Sequence, residues 1–302
     1  MVEVFRTEPL NMEFVVKNIV DGIGKYVEEN HLKCCVIGLS GGIDSTVCAA
    51  LCKMAKVPLI GVSLPSTTNE SVEKSAAALA GEEFCDAFKE VSIDSMFTAM
   101  KNFCDHSVSD KDSTPISQGN IKARLRMITL YDLASKSNGI VIDTDNLTEH
   151  YLGFFTIHGD DSDFNPIGGL WKHEVYALAH YLKDNVFKDS KALGNSIALI
   201  PTDGNGVAAG GDLAQIAPGK TYDDVDEILH AWVGLDSRIK EIVIKSYFDY
   251  GVFKKLCEKH GYETVEAVIL RSVRSEFKRK QRPFIIDVYR GYICEKNGNI
   301  MI

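Results

Sequence analysis

The chain has 302 residues, 45% hydrophobic and 25% charged, and its 33 basic and 42 acidic side chains leave a net charge of −9. This composition is ordinary for a globular protein, and the acidic balance argues against a general nucleic-acid binder, which needs a basic surface for counterion release. No run of about 18 apolar residues is present to span a bilayer, and the first residues lack the charged-then-apolar pattern of an export signal.

The eight cysteines (34, 35, 48, 52, 85, 104, 257 and 294) form no C-x-x-C pair, so zinc ribbons, iron–sulfur clusters and thioredoxin-like chemistry find no support. Several lie in apolar runs, where cysteine acts as a small buried hydrophobe. The expectation is a reducing, cytoplasmic compartment.

Along the chain, Phe14, Val15, Ile19, Ile23, Tyr26 and Val27 recur at helical spacing within residues 11–30. The apolar stretch 34–39 then predicts a buried strand. It breaks into Gly38-Leu39-Ser40-Gly41-Gly42 and resumes at Ile43-Asp44-Ser45 as a helix over 44–53. Strand, glycine turn and helix start together make an anion site. The backbone can approach an oxyanion closely, first-turn amides point outward, and the helix dipole favours negative charge. No Gly-Lys-[Ser/Thr] follows, so this is not the common P-loop. Asp44 stands there instead, and a carboxylate beside phosphates requires a divalent cation between them.

A second buried strand is expected at 57–64, and a helix at 71–80 with Thr68 or Asn69 as its cap. A strand region follows at 84–93, then a helix from Asp94, its cap, to about 103. Residues 106–117 are polar and irregular and read as a flexible surface loop, before a long helix over 118–137. A third apolar strand, 139–143, delivers Thr144-Asp145-Asn146 to its end. Strands alternating with helices predict an α/β fold: a doubly wound, mainly parallel sheet covered by helices on both faces, with ligands at the strand ends. Helices are expected at 172–183, 224–233, 237–246, 251–260 and 264–277, giving a helical C-terminal part. The glycine-rich segment near 203–219 reads as a lid.

Several motifs lie in order along this frame. They are the SGGIDS loop, Gly119-Asn120-Ile121-Lys122-Ala123-Arg124-Leu125-Arg126-Met127, and Thr144-Asp145-Asn146-Leu147-Thr148-Glu149. Gly153-Phe154-Phe155-Thr156 follows with Gly159-Asp160, then Asn165-Pro166-Ile167-Gly168-Gly169-Leu170-Trp171-Lys172 and Thr221-Tyr222-Asp223-Asp224-Val225-Asp226. The loop resembles that of the ATP pyrophosphatase superfamily, and the series resembles the ammonia-dependent NAD synthetases over roughly residues 10–290.

The resemblance implies an adenine nucleotide alpha hydrolase-like fold in a single domain, 1–302. It implies that ATP adenylates the carboxylate of deamido-NAD and that ammonia then displaces AMP. The loop Gly38, Leu39, Ser40, Gly41, Gly42, Ile43, Asp44 and Ser45 would hold the departing pyrophosphate, with Thr144, Lys172 and Thr202 also at ATP. Lys172 would act as a mobile point charge. Asp44 and Glu149 would hold Mg2+. Arg124, Ile157, Asp163, Phe277 and Lys278 would line the deamido-NAD site, and Asp160 or Asp163 would orient or deprotonate ammonium. Two departures stand out: Phe277 replaces a histidine, and Ile157 stands where some members carry lysine. Thr221–Asp226 is read as a structural helix start, with a Thr or Asp cap and acids in the first turn. A homodimer is implied, with no nucleic-acid or membrane partner. The alternatives are a GMP-forming or tRNA-modifying enzyme of the same fold, or a non-catalytic nucleotide-binding relative.

Overall fold

A computed structural model describes residues 10–67, 71–108, 111–200, 213–280, 294–296 and 299–301. Four short strands, β1 (Cys34–Gly38), β2 (Leu59–Ser63), β3 (Ala87–Glu90) and β4 (Gly139–Ile142), form one parallel sheet in the order β3-β2-β1-β4. The central strands are apolar without alternation because both faces are covered. Cys35 and Ile37 enter the core on one face, while Cys34 and Val36 enter that on the other.

On the first face lie α1 (Met12–Glu29), α2 (Ile43–Met54) and α3 (Ser71–Phe84), with α7 (Lys172–Tyr181) and α8 (Lys191–Ala198). On the second lies α5 (Pro115–Ser137), through Ala134, Leu130 and Leu133, next to α4 (Asp94–Phe103). The helical C-terminal part comprises α9 (Tyr222–Val233), α10 (Ser237–Lys245), α11 (Val252–His260), α12 (Tyr262–Arg274) and α13 (Glu276–Arg279). It has its own core around Ile228, Leu229, Phe253 and Ile269, which takes in Leu152 of the short α6 (Leu147–Leu152) and Trp171 before α7. Among the described residues, no helix is long and apolar enough to cross a membrane.

The chain moves outward from β1 to β2 and β3, then returns to place β4 on the other side of β1. The ends of β1 and β4 therefore flank the point where the winding reverses, which is where such sheets bind ligands.

Several elements differ from expectation. Helix α5 starts at Pro115 rather than 118, because Thr114 caps it by accepting from the Ser117 amide at 3.1 Å and proline suits the first helical position. A π-helical turn at Cys104–Val108 shortens the expected loop from its N-terminal side. Asp94 does not cap α4. It is the first helical residue, and its carboxylate accepts from the Thr67 amide at 2.9 Å and the Ser92 hydroxyl at 2.7 Å. Helix α8 was not expected; Ser190 caps it, and Glu83 of α3 accepts from the Lys191 and Ala192 amides at 2.9 and 3.0 Å. The expected helix 264–277 is two helices broken at Ser275, whose hydroxyl donates to carbonyls of Ser272 and Tyr151. Cys294–Lys296 (β5) and Asn299–Met301 (β6) form an antiparallel pair rather than continuing the helical part. Of the lid segment, 203–212 falls outside the described residues, and 213–219 is a run of turns.

Candidate active site

The glycine loop leaves β1 with the Leu39 amide still bonded to the Val62 carbonyl. Leu39 and Ile43 bury their side chains in the core, so the loop offers them only as backbone. Gly41 has φ +87°, and a Cβ there would lie 2.4 Å from the Glu73 carbonyl oxygen of α3. Only glycine fits a left-handed residue packed this tightly. Ser40 Oγ accepts from the Gly42 amide at 3.1 Å and meets Ser45 Oγ at 3.2 Å, which fixes the turn. Helix α2 begins after Gly42 with no side-chain cap, leaving its first-turn amides available to an anion.

The opposite rim is the end of β4. Asn146, fully buried, caps α6 in a capping box: Glu149 N donates to Asn146 Oδ1 at 3.1 Å, and Asn146 N donates to Glu149 Oε2 at 3.2 Å. The Asn146 side-chain amide also donates to Asp44 Oδ1 at 2.9 Å, joining the two rims. Into this junction comes Lys172, the first residue of α7 and 2% exposed. Its Nζ lies 2.5 Å from Asp44 Oδ2 and 2.8 Å from Glu149 Oε1, with the Tyr222 ring at 5.5 Å.

The structure thus gathers Asp44, Glu149 and Lys172 from three distant segments. Lys172 is not the mobile, solvated charge expected of a helix-start lysine, but a buried ammonium clamped between two carboxylates. Burial alone would lower its pKa; Asp44 and Glu149 outweigh that and hold it well above the usual lysine range. The donor set fits a magnesium ion. Two carboxylates already converge on one cation, and Mg2+ takes its remaining oxygens from phosphates and water.

Beside this junction opens a cleft of about 370 Å³, lined by Asp143, Asp145, Ile157, Asp161, Lys278, Arg279 and Lys280 among others. Asp143 is buried and accepts from the Asp145 and Ser162 amides at 2.7 and 2.9 Å. Burial nevertheless pushes its carboxyl up to about 6. Asp145 is driven well above the usual carboxylate range by burial and by the neighbouring Asp143. Lys278 Nζ donates to the carbonyls of Gly153 and Phe155 at 2.7 and 2.5 Å and lies 5.0 Å over the Phe155 ring.

The other expected site residues are distributed unevenly. Arg124 is exposed and donates to the Ile157 carbonyl at 3.1 Å. Arg126 is half-buried and donates to the Leu64 carbonyl at 3.0 Å. Asp160 accepts from the Thr156 amide at 2.5 Å, and burial raises its pKa. Asp163 accepts from the Tyr131 hydroxyl at 2.9 Å and, at 3.5 Å, from the Val141 amide of β4. Neither lines the cleft; Asp161, between them, does. Phe277 is 59% exposed and also lies outside the cleft lining. Thr144 is half-buried on the β4 rim, and Thr202 lies outside the described residues. Sequence reasoning gave no role to Asn146, although the Asn-x-x-Glu capping signature was present in it.

This geometry, a glycine anion loop facing a carboxylate–lysine cluster where the winding reverses, suits a nucleotide-cleaving enzyme. A model of the NAD synthase family matches residues 15–281. The chain belongs to the NAD synthase family. An NH(3)-dependent NAD(+) synthetase of Wolinella succinogenes is 30% identical over 277 residues, covering 90% of this chain and 95% of that protein. Among solved structures, the NMN synthetase of Francisella tularensis superposes with TM-score 0.71 at 26% identity, covering 91% of this chain and 99% of that one. The NH3-dependent NAD synthetase of Campylobacter jejuni, in complex with nitrate, superposes with TM-score 0.66 at 27% identity, covering 92% of this chain and all of that one. Membership makes the protein an enzyme, a carbon–nitrogen ligase of NAD biosynthesis with ATP as co-substrate.

Proposed function

We propose that the protein is an ammonia-dependent NAD synthetase acting on deamido-NAD. The observation that carries this reading is the Asp44–Lys172–Glu149 cluster at the mouth of the glycine loop, next to a cleft lined by both acidic and basic side chains. The loop amides hold the β- and γ-phosphates of ATP while Lys172 offsets their charge. Asp44 and Glu149 hold magnesium, which supplies charge neutralisation on the phosphates when bound. The nicotinate carboxylate attacks the α-phosphorus and pyrophosphate leaves, giving an acyl adenylate. Ammonia then attacks the acyl carbon and AMP departs. Orientation of the two anions is the main contribution of the chain's own residues.

Ammonium must lose a proton before it attacks. Asp161 and Asp143, which line the cleft, suit that part better than Asp160 or Asp163, which do not. A carboxyl near 6 is also better matched to a neutral solution than an ordinary aspartate. Lys278 and Arg124 flank the acceptor. The reading includes a cytoplasmic homodimer of single-domain subunits with 203–219 as a lid. Exposed Met96, Met100 and Phe103 of α4 and Ile116 and Ile128 of α5 are candidates for the subunit contact, which light scattering tests.

A second acceptor, nicotinate mononucleotide, is favoured by the likeness to a protein named NMN synthetase and by the departures at Ile157 and Phe277. The deciding experiment supplies ATP, Mg2+ and ammonium with each acceptor in turn. The proposal expects NAD, AMP and pyrophosphate, with the higher kcat/KM for deamido-NAD. A higher value for the mononucleotide reassigns the acceptor, and no AMP with either defeats the proposal.

A further inference from the structure

Helix α7 presents Lys172 to the site, and its own Glu174 reaches back to accept from the Trp171 N–H at 2.8 Å. Trp171, at the cap position, carries no side-chain acceptor. Its first amides are satisfied from other elements. Lys172 N–H donates to Thr148 Oγ1 of α6 at 2.8 Å, and His173 N–H donates to Asp226 Oδ2 of α9 at 3.0 Å. The Thr148 hydroxyl donates to Asp226 Oδ1 at 2.5 Å, and His173 Nδ1 meets Oδ2 at 2.8 Å. Asp226 is 1% exposed and Thr148 is fully buried.

One buried carboxylate from the helical part therefore grips the residue before Glu149 and the residue after Lys172. Those two elements deliver two of the three side chains in the cation cluster, and no contact of Asp226 reaches the cluster directly. We propose that Asp226 is a positioning residue for the Mg2+·ATP site, setting Glu149 and Lys172 in register with Asp44. Its charge also faces the positive end of the α7 dipole, where a carboxylate is favoured. Sequence reading treated Thr221–Asp226 as a helix start. Thr221 and Asp224 do form that capping box, and Asp226 does something else. The inference rests on the ATP-dependent reading of the site.

Asp226→Asn keeps the size of the side chain and an acceptor for Thr148, but turns an amide donor toward the His173 N–H. Thr148→Val removes the link to Lys172 and leaves Asp226 intact. Calorimetric titration of each full-length variant with Mg2+·ATP, alongside thermal melts and KM for ATP and for deamido-NAD, tests the role. The expected result is an ATP affinity lowered about ten-fold in either variant, with the deamido-NAD KM within about two-fold of wild type. The double variant should lose less than the sum of the two single losses, because both act through one Asp226-centred network. Folded variants that bind Mg2+·ATP as wild type does, or lose both affinities equally, overturn the role. If Asp226→Asn does not fold, Thr148→Val decides. Wild-type protein that binds no Mg2+·ATP overturns the functional reading and this role together, whereas unchanged variants beside a binding wild type overturn this role alone.

Discussion

Lys172 Nζ lies 2.5 Å from Asp44 Oδ2, joining the first turn of α2 to the first turn of α7 across 128 residues of sequence. With Glu149 at 2.8 Å on the same ammonium, the two carboxylates expected to hold a divalent cation share one positive charge, which offsets half of theirs. The pair is preorganised around positive charge, so its two carboxylates already converge on one point rather than lying apart.

Lys172→Met leaves Asp44 and Glu149 facing each other without compensation. Removing one member of a buried charge cluster destabilises by about 3 kcal/mol. Thermal melts should show that loss. Millimolar Mg2+ should restore part of it in the variant while shifting wild type less. Turnover should fall by about 100-fold or more, because a charge that stabilises the phosphates is gone.

Gly41→Ala adds a Cβ that would sit 2.4 Å from the Glu73 carbonyl, at a left-handed φ of +87°. The conformation alone costs about 1–2 kcal/mol in a non-glycine residue. The loop should shift off α3, and ATP affinity measured by titration should drop while helix content by circular dichroism is retained.

How much of this was legible beforehand depends on whether the cause is local. The strand–turn–helix at 34–54 is written in adjacent residues, so the loop and its anion-binding character could be read directly. The burial of Lys172 could not, because its partners lie 128 and 23 residues away, and a lysine at a helix start reads as solvated. Asp161 alone of three near-adjacent aspartates lines the cleft, in a segment whose Phe164 bridges to Ile142 of β4, a tertiary pairing that no short-range pattern announces. Helix α8, KALGNSIA, carries glycine, asparagine and serine in its interior, and beside its Ser190 cap it draws on distant Glu83 of α3 for its first two amides. The motif series, by contrast, gave the family because each segment keeps its spacing even where the intervening structure was misread.

Asp143 links stability to pH. Its folded-state carboxyl is raised to about 6, above the unfolded value near 3.9, so the folded state holds the proton more tightly. Its contribution favours folding below the unfolded value and is lost as pH rises through about 6. Between pH 5 and pH 7 the wild type should lose about 1.4 kcal/mol relative to Asp143→Asn, read as the difference between their denaturant-unfolding free energies at the two pH values.

Lys278→Met removes two charge-assisted hydrogen bonds to the Gly153 and Phe155 carbonyls from a side chain that lines the cleft. The acceptor KM should rise about ten-fold, and Mg2+·ATP binding by titration should stay near wild type. Equal losses for both substrates would place Lys278 outside the acceptor site.

The central claim is that the acceptor carboxylate is adenylated at the α-phosphorus of ATP. It is tested most directly with deamido-NAD labelled with oxygen-18 in its nicotinate carboxylate, incubated with ATP, Mg2+, ammonium and the purified protein. Attack by that carboxylate and later expulsion of AMP by ammonia carry one labelled oxygen into AMP and none into pyrophosphate. Mass spectrometry should find AMP heavier by that one oxygen; unlabelled AMP, or ADP and phosphate in its place, would contradict the account.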